Sequence, residues 1–216
     1  MVDAGGSQLV LPLGDETAVP WEDRLLPFIV LLTIMIGGIM VPATSLVDEK
    51  MKRTLTAVTT TPASVGEVYL AKGLLGVILG VVMGVIILAM NRAFGSQPLL
   101  LVWLLALGGM MASAFGILLG MLLKDINSLF ATIKGIGLLL YAPAIFYLFP
   151  SLPEWVGRIF PTYYVIAPIM EVTQQGPSFA DIALDVAILV AIILLLVGIV
   201  ALLGRRARQG GALAVA

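Results

Sequence analysis

LLPFIVLLTIMIGGIMVPATSLV occupies residues 25–47, with no charge between Arg24 and Asp48. A helix needs about 20 mostly apolar residues to cross the hydrocarbon core of a bilayer. The run therefore reads as a membrane span. Four further runs meet the same requirement. The second goes from about Val68 to Met90, with Lys72 near its start, and the third from Pro98 to Leu123, uncharged. The fourth goes from about Ser128 to Phe149, with Lys134 inside it, and the fifth from about Ile182 to Gly204, with Asp185 near its start. All are too long for barrel strands and lack strand alternation. The fold class is all-α and integral to the membrane: a five-span helical bundle.

Composition agrees. Of the 216 residues, 60% are hydrophobic and 12% charged, against about 45–50% and about 25% in a soluble domain. That excludes a soluble globular protein, a disordered chain and a nucleic-acid binder. Net charge is −1, so no global field draws an anionic partner. With Cys 0 and His 0, disulfides, haem, thiolate chemistry, His-ligated metals and a His general base are excluded. No catalytic and no metal-binding residues are assigned.

The Lys/Arg bias sets orientation. One set of connections holds Lys50, Lys52, Arg53, Lys72, Lys124, Arg205, Arg206 and Arg208; the other holds Arg24, Arg92 and Arg158. The eight-rich side is expected to be cytoplasmic, in the cytoplasmic (inner) membrane, with the N-terminus outside and the C-terminus inside. Residues 1–24 form an external tail, acidic and unlike a signal peptide. Residues 25–206 form the transmembrane domain and 207–216 a cytoplasmic tail.

Gly76, Gly80 and Gly84 share one face of the second span, and Gly108, Ala112, Gly116 and Gly120 one face of the third. Such faces let helices approach closely in lipid. Between Pro143 and Pro177 lie six prolines, with Phe146, Tyr147, Phe149, Trp155, Phe160, Tyr163 and Tyr164. Proline interrupts helix and aromatics favour the membrane boundary. The stretch is expected to be short broken helices that dip into the outer leaflet and return. Lys134 is expected to snorkel to headgroups. Asp181 and Asp185 suit the start of the last span through the helix dipole.

The most specific stretch joins the first two spans. Val47, Met51, Leu55 and Val58 form one apolar stripe, with Asp48, Glu49, Lys52 and Arg53 on the polar side. This predicts an amphipathic helix on the cytoplasmic surface. Pro62 discourages its continuation. Ser64 and Glu67 then make a capping box, which starts a new helix at about Val65.

This pattern resembles the permease subunits of type-2 ABC transporters. The residues that carry the resemblance are Pro42, Glu49-Lys50, Thr54-Leu55, Thr61-Pro62 with Ser64, Glu67, and Lys72-Gly73. The proline-rich aromatic segment before the last span is also similar, and the resemblance covers about Leu25 to Arg206. It implies that the connector is a coupling helix docked on a separate ATPase subunit, with Glu49, Lys50, Arg53, Thr54, Leu55, Thr61 and Pro62 in the contact. It implies a dimer of permease chains, homomeric or heteromeric, in membrane lipid, and export as the direction. The chain has no G-x-x-x-x-G-K-[ST] loop. No cofactor is therefore expected in it, and ATP and Mg are expected in the partner. Two features depart from the family: Arg53 stands where Gly is common, and five spans stand where six are usual. The reading is of a permease lacking the first span.

A membrane-embedded enzyme needs paired groups at one depth, and the spans hold none. The remaining alternative is an accessory membrane subunit or channel-like protein with no ATP-coupled path of its own.

Overall fold

Inside lipid every backbone N–H and C=O must find its partner within the segment or a closed barrel, so long apolar runs become helices. The computed structural model describes residues 21–52, 65–94, 97–148, 154–174 and 179–213. Among the described residues there are helices and turns and no strand. The first span is α1 (Trp21–Met35), a π-helical turn (Ile36–Met40) and α2 (Val41–Met51), end to end. The next three are α3 (Val65–Met90), α4 (Pro98–Leu122) and α5 (Ile126–Leu148). Two short helices, α6 (Glu154–Gly157) and α7 (Tyr163–Gln174), precede α8 (Phe179–Leu213). Five stretches are long and apolar enough to cross a membrane: Leu25–Met51, Gly66–Met90, Pro98–Leu122, Ile126–Ile145 and Ala180–Arg205.

The π turn has a local cause. Pro42 has no N–H to offer the Gly38 carbonyl, and its ring crowds the preceding turn of an α-helix. Widening the turn at Ile36–Met40 relieves both demands. The Thr44 hydroxyl donates to the Met40 carbonyl one turn back at 2.6 Å.

One sequence expectation is corrected here. The surface helix expected from Val47 onward does not begin there. The first span continues through Met51, and the Lys52 N–H closes it on the Asp48 carbonyl at 2.9 Å. The reason is burial: Leu46 and Val47 are 0% exposed in the core, whereas Met51 is 56% exposed. Val47 thus belongs to the interior of the span and not to a surface stripe. Leu55 and Val58 lie outside the described residues.

α4 is the hub, touching α1, the π turn, α2, α3, α7 and α8. Its apolar window is 67% buried and that of the first span 56%, against 22%, 28% and 17% for the second, fourth and fifth. The two central spans therefore pack on protein, and the other three form the perimeter of the bundle.

The small-residue faces lie at these contacts. A β-carbon on Gly37 would stand 3.2 Å from Gly80 Cα. One on Gly116 would stand 2.5 Å from the Ile39 carbonyl oxygen. Backbone meets backbone here, the arrangement that small residues permit where lipid removes the hydrophobic drive between helices.

α3 ends in a left-handed residue, Arg92 with φ 52°. The Ala93 N–H reaches the Leu88 carbonyl at 2.9 Å and the Arg92 N–H the Ala89 carbonyl at 3.1 Å. This pair of bonds is a Schellman closure.

The segment before the last span is broken, as expected, but not at every proline. Pro143 lies inside α5 and Pro168 inside α7. Membrane helices tolerate such prolines because neighbouring groups satisfy the freed carbonyl. The described break is the turn at residues 158–162, which contains Pro161. α7 buries Val165, Ile166, Ile169 and Met170 in the core. A β-carbon on Gly108 would stand 2.6 Å from Val165 Cγ1. Gly108 lies about 15 Å along α4 from Pro98, at about 1.5 Å per residue. α7 thus reaches the middle of the bundle from the Pro98 end. The side chains of Phe146, Tyr147 and Phe149 are outside the described set.

Candidate functional site

The last turn of α2, the first turns of α3 and the last turn of α4 meet at one end of the bundle. Here the charged residues of the quoted motif are found. Lys50 Nζ donates to the Met121 carbonyl at 2.6 Å and to the Leu123 carbonyl at 3.1 Å. The last carbonyls of a helix have no partner within it, and the helix dipole favours a cation beside them. Lys50 therefore caps α4.

Glu49 points to the other neighbour. Its Oε1 accepts from Lys72 Nζ of α3 at 2.7 Å. Ser45 lies one turn before Glu49 on the same face, and its Oγ accepts from the same ammonium. The Lys72 side chain is only 13% exposed and that of Glu49 30%. One residue further on, the Gly73 carbonyl accepts from Ser113 Oγ of α4 at 2.7 Å, and Ser113 is 2% exposed. The adjacent pairs Glu49-Lys50 and Lys72-Gly73 thus knit the first, second and third spans together. A half-buried pair of this kind is costly to break on one side only, because the other charge stays desolvated.

Around this junction lie two weaker features. Lys52 pairs with Asp48 at 2.7 Å on the exposed surface, an i,i+4 pair worth about 0.3–0.5 kcal/mol. Asp125 precedes α5. It accepts from the Ser128 amide at 2.8 Å and the Ser128 hydroxyl at 2.7 Å. These bonds, the hydroxyl's first, hold its carboxyl below the usual carboxylate range.

The structure brings Glu49 and Lys50 together with Lys72, Ser45 and α4, and directs both toward the neighbouring spans. Glu67 stands in the first turn of α3, which runs from Val65. Arg53, Thr54, Leu55, Thr61, Pro62 and Ser64 lie outside the described residues. Lys134 is exposed on α5. Ser45 and Ser113 were not singled out by the sequence, since an isolated hydroxyl in an apolar run carries no spacing signal. Lys72 had one: it is the only charge in the run from Val68 to Met90 and belongs to the quoted motif.

At the opposite end Glu171 of α7 lies near Asp185 and Asp181 of α8. Burial first, then these two negative charges, push the Glu171 carboxyl above its usual range.

The protein is thus an all-α, multi-pass membrane protein with a charged junction at one end of its spans. The family model described as ABC-2 family transporter protein matches residues 16–202. The chain belongs to that family and is a membrane permease subunit of an ABC transporter. Comparisons with curated proteins and with solved structures gave no match.

Proposed function

We propose that this permease exports its substrate by alternating access, driven by a separate ATPase subunit that docks on the connector between the first two spans. Arg53, Thr54, Leu55, Thr61 and Pro62 form the contact in this reading, and Glu49 and Lys50 form the joint behind it. The carrying observation is the junction: a push on the end of α2 bears on α3 through Glu49–Lys72 and on α4 through Lys50. The chain contains no phosphate-binding loop of the G-x-x-x-x-G-K-[ST] type. ATP and Mg therefore belong to the partner, and two permease chains pair around the path.

Affinity purification from its own membrane is expected to bring down a P-loop ATPase chain. The purified permease alone in lipid is expected to show no ATP hydrolysis above background. Leu55→Asp at matched membrane expression should lose the ATPase while inserting normally. Hydrolysis by a preparation free of other subunits would refute the reading. Full ATPase association by Leu55→Asp would leave the connector an anchor, as an accessory subunit requires.

We also propose that the connector side is cytoplasmic, on the eight-to-three division of Lys and Arg. The absence of cysteine makes labelling clean. In intact cells, a cysteine placed at residue 10 should react with an impermeant thiol reagent and one at residue 209 should not. The reverse pattern would invert the topology.

A further inference from the structure

Three perimeter and central helices leave a groove in the connector-side half of the bundle. It has a volume of about 650 Å³ and lies between α3, α4 and α8. That falls within the range of roughly 300–1,000 Å³ typical of ligand pockets. Its existence follows from small residues: Gly66 and Gly73 on α3, Ala114 on α4, and Ala201 and Gly204 on α8 contribute little side-chain volume to its walls. A β-carbon on Gly204 would come 3.8 Å from the Tyr69 ring, so that end of the groove is already close to a contact width.

The groove has a length and a polarity. Along α3 it runs from Gly66 to Val77, and along α8 from Ile193 to Arg205. At about 1.5 Å per residue these are about 16 and 18 Å. The hydrocarbon core is about 30 Å thick, so the groove is as deep as one leaflet. A helix from another chain would run the full thickness. An acyl chain runs only this far. The walls are mostly apolar, Ser113 among them spending its hydroxyl on the Gly73 carbonyl, and the one cation of the lining, Arg205, stands at the rim where the last span leaves the membrane. That is the level of lipid phosphates, and a guanidinium is built to hold a phosphate by two parallel hydrogen bonds.

We propose that this groove binds an anionic phospholipid of the connector-side leaflet, one acyl chain between α3, α4 and α8 and the phosphate on Arg205. The site rests on the assignment of the spans and not on the coupling reading. Lipid retention and ATPase association can therefore fail separately. In function it would be a structural lipid that fills the space between the fifth span and the second and third.

Native mass spectrometry of the full chain, released from detergent, tests it with phosphatidylglycerol and phosphatidylcholine as probes. Wild-type protein should retain phosphatidylglycerol over phosphatidylcholine by about fivefold, the factor of about one basic side chain near anionic lipid. Arg205→Gln should remove that preference. Lys134→Gln, on the exposed face of α5, should keep it. Ala201→Phe should reduce retention of both lipids by filling the groove. If Ala201→Phe does not yield monodisperse protein, the Arg205→Gln and Lys134→Gln arms decide alone. Equal retention of both probes by the wild type, an unchanged preference in Arg205→Gln, or an equal loss in Lys134→Gln would each overturn the proposal. So would a lipid-free wild-type dimer that Ala201→Phe dissociates, which would make the groove a protein interface.

Discussion

Gly116→Ala is expected to lower the melting temperature of the purified protein by about 5–10 °C, and Gly116→Leu to prevent accumulation of folded protein in the membrane. The added β-carbon would lie 2.5 Å from the Ile39 carbonyl oxygen, 2.9 Å from Ile39 Cα and 2.9 Å from Pro42 Cγ. Two of these atoms are backbone, and the third belongs to a ring that cannot rotate away. Only separation of α4 from the first span relieves the clash, and this is the contact between the two most buried spans. Overpacking typically costs about 1–3 kcal/mol and occasionally more; backbone partners place this site at the upper end. Gly198→Ala is the control. Nothing lies within 4 Å of its added carbon, and alanine is the better helix former by about 0.8–1 kcal/mol. It should hold or raise the melting temperature, measured by loss of monodisperse protein on heating. An unchanged value for Gly116→Ala would show that the π turn yields to its neighbour.

The second large effect is expected at Glu49. Glu49→Lys places a second ammonium against Lys72, where a 2.7 Å ion pair stood. Losing one member of a buried pair costs about 3–5 kcal/mol. With Glu49 30% exposed, solvent screening reduces this to about 1–3 kcal/mol. Transport at matched expression should fall by about tenfold or more if the junction must hold for the spans to move together, since about 1.4 kcal/mol corresponds to tenfold. The exchange Glu49→Lys with Lys72→Glu separates two explanations. It restores the opposite-sign pair within the chain and should recover most of the transport. If Glu49 acts only through direct contact with the ATPase, the exchange leaves the defect in place. Failure of rescue in a double variant that folds normally would therefore move Glu49 from the joint to the docking surface.

Much of this fold is written in one dimension. An uncharged run such as residues 98–123 has only helix open to it in lipid, and its ends fall where the helix ends, at Leu122. α3 at Val65–Met90 was equally legible as an apolar run read from about Val68. The end of the first span was not. Asp48, Glu49 and Lys50 mark a membrane boundary in a hydropathy reading, yet a helix has no reason to stop at charges that find partners. Lys50 finds carbonyls 71 and 73 residues away, and Glu49 a lysine 23 residues away. Those partners are set by the packing of α2 on α3 and α4, which no local pattern encodes. The same holds for the prolines. Pro143 and Pro161 look alike in sequence, but one sits within a helix and the other in a turn. The small-residue faces, by contrast, were visible as four-residue spacings, and only their partners had to come from the structure.

The π turn at Ile36–Met40 sets the angular phase of everything that follows it in the first span. An α-helix advances about 100° and about 1.5 Å with each residue, and a π turn holds one residue more than the α turn it replaces. Were this turn wound as ordinary α-helix, Glu49 would swing about a quarter-turn away from Lys72, and Lys50 would leave the end of α4. The docking of the motif thus depends on a single surplus residue placed about three turns earlier in the membrane interior. Insertions and deletions of one residue between Ile36 and Asp48 are therefore not silent length changes in this chain. They are rotations of its charged end.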